Sequence, residues 1–335
     1  MEKYIFKIYL DQNIWDFILK DRFPEISVSN FDNIEIKIEY IYSSTTLDEF
    51  NRIEDNKFRS DFLNLLKEKK AKYIEVDPNT EHATLIDCDP IEKFQWHNEN
   101  KNDFKSFSDD TTDFMFKILT GNETRSYSDI LTSYFGEIKK TIQSPFNNSK
   151  EFLDADTIKI FESNMEIIET CLEQLPDFLR TFLPCDDEKS NNLKNIKNVL
   201  PYKIEELNNI SPDEAVDYIW KNYQTFISIE TNDLKIEEFF EKLSATNTHK
   251  KWGMLEKINF LYNFLNYHGY WSDKKLDKKR KFIPSLNDAS HAFYASFSDL
   301  FITRDVAFYM KLKAVYHYYN INTCLHHYKD NKKDE

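Results

Sequence analysis

A parallel sheet flanked by helices, interrupted by a large all-helical insertion, is the α/β fold that the sequence predicts. Three observations carry it. Short β-rich runs alternate with helical spacing near the start of the chain. The same alternation resumes over the last sixty residues, and the stretch between shows helical spacing alone. Strand alternating with helix is the pattern of parallel sheets, because each parallel connection needs a crossover.

The first strand is expected at 4–10, where Tyr4 to Leu10 is short, apolar and stopped by Asp11-Gln12-Asn13. Helical spacing at Ile14, Phe17 and Ile18 then predicts a helix over 13–20. A second strand at 34–43 alternates apolar and charged residues, and helices follow at 46–54 and 58–70, with Thr46 and Glu49 spaced as a capping box. Lys72-Tyr73-Ile74-Glu75-Val76 reads as a third strand, ended by Asp77-Pro78. Ser211-Pro212-Asp213-Glu214 marks a helix start inside the helical stretch, and Gly269 caps a helix over 253–268. The α/β pattern returns with a helix at 287–297, a strand at 299–303, a helix at 306–318 and a strand near 322–326. Domain boundaries follow: 1–78 and 251–328 as two halves of one sheet domain, 79–250 as the helical insertion, and 329–335 as a disordered tail.

Composition sets limits. The 28 Phe and 19 Tyr predict an aromatic core, and only 4 Gly and 9 Pro favour long helices. The net charge of −14 repels nucleic acid at long range, but screening confines that repulsion to about 8–10 Å at physiological salt, so local basic patches still bind it. The 4 Cys have neither disulfide-framework nor zinc-finger spacing and read as free thiols in a cytoplasmic, soluble protein. No stretch is apolar enough for a membrane span, and no membrane partner is expected.

The chemistry concentrates in four acids. Asp11 follows the first strand, Glu49 lies in the helix after the second, Asp288 begins the helix before the fourth, and Asp305 follows that strand. An eleven-residue helix travels about 16 Å and a five-residue strand running back about 16 Å, so Asp288 and Asp305 fall on one edge of the sheet. That edge, at the carboxyl ends of the strands, is where open α/β sheets bind ligands. Crowded carboxylates raise one another's pKa. Mg²⁺ or Mn²⁺ suits an all-oxygen set and serves phosphodiester hydrolysis. Taken singly, each acid also reads as a helix cap or first-turn acid. His291, three positions after Asp288, reads as a core histidine or as a neighbour of the site. Lys274, Lys275, Lys278, Lys279, Arg280 and Lys281 form the densest basic cluster, a candidate contact to a phosphate backbone or a solvated connector.

Asp11-Gln12-Asn13, Ser44 to Phe50, and Asp288-Ala289 followed by Leu300-Phe301-Ile302-Thr303-Arg304-Asp305 resemble the motifs of PIN-domain nucleases. The resemblance covers about residues 1–77 and 282–328. It implies an α/β sandwich, Mg²⁺ or Mn²⁺ held by Asp11, Glu49, Asp288 and Asp305, supporting polar positions at Asn13 and Thr303, and RNA cleavage by metal-activated water. The second and third acids are 239 positions apart (288 − 49), far more than in small members of that family. The leading expectation is an endoribonuclease of toxin or phage-defence type. A catalytically inactive scaffold for protein interaction and a structure-specific DNA nuclease are the alternatives. The partners expected are nucleic acid, RNA first, then a regulatory or neutralising protein and a second copy of the chain.

Overall fold

The computed structural model describes residues 2–24, 26, 34–77, 80–101, 105–123, 125–150, 153–180, 202–226, 235–243 and 252–329. The expected tail lies outside them from residue 330 onward. The chain forms two compact units, one of residues 1–97, 196–274 and 284–335, the other of 98–195 and 275–283.

The first unit holds a six-stranded sheet. β1 (Glu2–Leu10) is central, paired in parallel with β2 (Ile34–Tyr42) on one side and β5 (Leu300–Thr303) on the other. β3 (Lys72–Val76) continues in parallel beyond β2, and β6 (Cys324–His327) beyond β5. β4 (Ala83–Ile86) pairs antiparallel with β3 at the far edge. It corrects the expectation of helix from residue 79 onward: a four-residue strand is too short to show a period of its own. The strand order β4-β3-β2-β1-β5-β6 reverses direction at β1, and a crevice at such a reversal is where this kind of sheet binds ligands.

Alternation along β1 sends Ile8 and Leu10 to one face and Tyr9 to the other. Ile8 and Leu10 pack with Ile14 and Trp15 of α1 (Gln12–Leu19), Leu47 and Phe50 of α2 (Ser44–Asn51), and Phe62 and Leu66 of α3 (Asn56–Glu68). Tyr9, Ile41 and Phe301 pack on the opposite face. Their partners are Ile219 of the helix Pro212–Phe226, Leu261 of the helix Met254–His268, Ala292 of the helix Lys279–Ala295 and Leu312 of the helix Val306–Tyr318. Residues 212–226, expected within the helical insertion, therefore help to cover one face of the sheet. Helical periodicity reports which side of a helix is buried, not what covers it.

Local signals place several boundaries. Pro212 begins its helix as expected, and Gly269 ends the helix Met254–His268 at φ +99, donating to the carbonyl of Asn266. A Cβ there would also meet the Ile204 side chain at 3.0 Å. In the second unit, Arg125 pairs with Asp110 at 2.5 Å, and Lys279 pairs with Asp113 and with Glu123, the latter at 3.1 Å. Among the described residues Cys88 and Cys324 are free, and no helix is long and apolar enough to cross a membrane.

His268, the last residue of its helix, donates from Nδ1 to the Phe264 carbonyl at 2.8 Å and stacks on the Phe264 ring with centroids 3.9 Å apart. Burial pushes its pKa down to about 4. The unfolded chain takes up this proton near 6.5, so stability is intact above 6.5 and falls as pH drops from there towards 4, by about 3 kcal/mol in all. Urea unfolding at pH 7 and pH 4.5 should show a smaller acid loss in His268→Phe than in the wild type. Equal losses in the two proteins would contradict this account.

Candidate active site

Asp11 sits where β1 ends and α1 begins, in the position of a helix N-cap, yet its side chain makes no capping bond. Its buried carboxylate instead accepts from Thr303 Oγ1 at 2.7 Å and from Asn13 Nδ2 at 3.2 Å. Thr303 ends β5, the strand beside β1, so the bond crosses two neighbouring strand ends. The Asp11 N–H reinforces it by donating to the carbonyl of Ile302 at 3.1 Å.

Glu49 is buried in the second half of α2. The capping box of that helix is Ser43 with Thr46, not Thr46 with Glu49 as the sequence spacing proposes, because the helix starts at Ser44 rather than at 46. The Glu49 carboxylate is thereby released from capping. Its Oε2 lies 3.0 Å from Nε2 of His291 and its Oε1 3.4 Å from Arg52. His291 is fully enclosed, with Nδ1 hydrogen-bonded to Tyr9 Oη at 2.7 Å, and Tyr9 reaches Ser43 Oγ at 2.7 Å. Burial alone lowers the His291 pKa, but the charges of Glu49 and Asp11 outweigh it and hold the imidazole above its usual value. Of its two sequence readings, His291 meets both: it is a core histidine and it touches one of the four acids.

Asp288 does not begin a helix. The helix starts at Lys279 and runs through Pro284, so Asp288 stands in its middle and half-buried. Burial and the charge of Asp273 raise its carboxyl well above the ordinary carboxylate range, against the pull of Lys311; Asp11 and Glu49 raise it further. Asp11 is raised likewise, by burial and then by Glu49. Asp305 is exposed and caps the helix Val306–Tyr318, accepting from the N–H of Phe308 at 2.9 Å, while its own N–H donates to Thr303 Oγ1 at 3.0 Å. Tyr262 lies near all of these groups: burial and then Asp288, Asp273, Asp305 and Asp11 raise its hydroxyl.

Asp299 lies at the other end of β5 and accepts from the N–H of Lys7 and from Tyr4 Oη, both at 2.7 Å. Asp48 turns to His97 at 2.7 Å and Asp16 to Lys20 at 2.7 Å. Within the basic cluster Lys279 is held by Asp113 and Glu123, which leaves it unavailable to a phosphate. Lys274, Lys275, Lys278, Arg280 and Lys281 are exposed.

One group of residues carried no sequence signal. Lys311 is wholly buried in a helix, its ammonium donating to Asp273 at 2.8 Å and Asn266 at 3.2 Å and lying 4.7 Å from the Tyr262 ring centroid. Ser285, one helical turn before Asp288, donates to the same Asp273 at 2.7 Å. A lysine among apolar residues looks like an ordinary surface position until its partners are known.

The donors at this edge are hard carboxylate oxygens, and Asp11 and Asp288 are raised first by burial and then by neighbouring acids. Both suit a divalent cation. The side chains are nonetheless held by other partners: among the described residues, no group of three or more His, Cys, Asp or Glu side chains is placed to hold a metal ion. The chain matches no protein-family model, no curated protein and no solved structure.

Breaking the buried pair on one side should cost about 3 kcal/mol, since it strands the remaining charge. Lys311→Met and Asp273→Asn are each expected to lower stability, and the double variant should lose less than the sum of the two. Strictly additive losses in thermal unfolding would refute the coupling.

Proposed function

We propose that the protein is a metal-dependent nuclease with a PIN-like site that hydrolyses phosphodiester bonds, acting as an endoribonuclease. The observation that supports it is the buried Asp11 at the carboxyl end of the central strand, raised by burial and then by Glu49, with Asp288 raised by burial and Asp273 and further by Asp11 and Glu49. Asp11 and Asp288 are the residues that would hold Mg²⁺ or Mn²⁺, with Glu49 and Asp305 completing the set. When bound, the cation supplies charge neutralisation and activation of water for attack on phosphorus.

The chain's own residues prepare that edge. Thr303 and Asn13 fix the Asp11 carboxylate, and the Ser43–Tyr9–His291 line fixes Glu49 from behind. Asp305 fastens the start of its helix beside Thr303. A toxin or phage-defence role belongs to this proposal through the resemblance alone.

A second reading, an inactive scaffold that binds other proteins, is favoured by the pairing of Glu49 with His291 and Arg52, which leaves that carboxylate occupied. Metal titration separates the two. The nuclease reading expects Mn²⁺ to stabilise the fold by about 2.7 kcal/mol at a hundredfold excess over its dissociation constant. It also expects Asp11→Asn and Asp288→Asn to remove both that gain and the cleavage of an RNA oligonucleotide. Because either change removes one of several crowded charges, the metal-free variants should melt no lower than the wild type. Cleavage that persists in both variants would sink the proposal, and matched RNA and DNA oligonucleotides decide the substrate.

A further inference from the structure

Two arginines far apart in sequence meet on one aromatic ring beside the acidic edge. Phe17 of α1 is buried, with its ring centroid 3.6 Å from the guanidinium carbon of Arg304 and 4.3 Å from that of Arg22. The two guanidinium carbons are therefore no more than about 8 Å apart, within one screening length at physiological salt. Their backbones are tied down: the Arg304 carbonyl is hydrogen-bonded to His327 Nε2 at 3.1 Å, and the Arg22 carbonyl accepts from Tyr328 Oη at 3.3 Å.

Arg304 stands between Thr303, which binds Asp11, and Asp305, which caps the next helix. Among the described residues no carboxylate or carbonyl pairs with its guanidinium, in a chain carrying 58 acidic residues. A guanidinium stacked on a ring keeps its N–H groups in its own plane, in a fork that matches two oxygens of a phosphate.

We propose that Arg304 binds a backbone phosphate of single-stranded nucleic acid next to the acidic edge. The assignment rests on the nuclease reading of that edge and names the side from which the strand is gripped. It also explains how a strongly acidic chain holds a polyanion: the positive charge is local and adjacent to the carboxylates, not spread over the surface.

The test uses the full chain in EDTA and a fluorescein-labelled single-stranded RNA 12-mer, with DNA of the same sequence as a second arm and inorganic phosphate as competitor. Fluorescence anisotropy over a KCl series gives affinity and salt slope. Arg304→Ala should weaken binding about tenfold and reduce the slope of log K against log salt by about 0.7, the loss of one phosphate contact. Arg304→Lys keeps the charge and loses the fork, so it should keep the slope and lose part of the affinity, which holds even if the alanine variant folds poorly. Stabilisation by Mn²⁺ should be unchanged in both. Unaltered affinity and slope in Arg304→Ala and Arg304→Lys overturn the assignment while leaving the nuclease reading in place. Competition by phosphate as strong as by the oligonucleotide reduces the site to one for small anions and overturns it too. Failure of the wild type to bind either oligonucleotide counts against both.

Discussion

The hydrogen bond from Thr303 to Asp11 joins the two strand ends on which the candidate site depends. β1 and β5 are adjacent and parallel, so their carboxyl ends come out side by side, and Asp11 is buried where they do. An ionised carboxylate in such a place costs several kcal/mol unless it is satisfied by donors or charge. Thr303 and Asn13 supply two donors. They offset only part of the cost, since burial and the nearby Glu49 still leave the carboxyl raised. The remainder is what the proposed cation would offset.

The surroundings follow from the same constraint. Three acids of this region are held by different kinds of partner: Glu49 by an imidazole and a guanidinium, Asp273 by a buried ammonium, Asp305 by a backbone amide. These partners fix the directions of the three carboxylates. The lines Ser43–Tyr9–His291 and Lys311–Asp273–Ser285 run behind the edge from two sides of the buried core. A polar network buried this deeply holds its geometry because leaving any member unpaired is costly.

The two faces of the sheet divide the labour. One carries α1, α2 and α3; the start of α1 brings Asp11 to the edge and the second half of α2 brings Glu49. The other is covered by helices from residues 212–226, 254–268, 279–295 and 306–318, and these bring Asp288, His291 and Lys311. Residues 212–226 thus belong to the sheet's core and not to an appended block. The second unit has its own polar cluster around Arg125 and Lys279, which accounts for one lysine of a basic run that the sequence left open between a phosphate contact and a solvated connector.

Local chemistry determined a good part of this protein from sequence. The strands at both ends, the helix start at Pro212, the left-handed cap at Gly269, and the places of Asp11 and Asp305 just beyond strand ends all follow from patterns a few residues long. Only the tertiary structure decided what those residues touch. Ser43 takes the cap that the spacing gave to Thr46 with Glu49, and β4 adds a strand too short to announce itself. The helix carrying Asp288 starts at Lys279 because its first turns are made of the charged run that reads as a connector. His291 with Glu49, Lys311 with Asp273, and Arg304 with Phe17 are pairs separated by tens to hundreds of residues. Periodicity tells which face of an element is buried; it carries no record of the distant residue that will bury it.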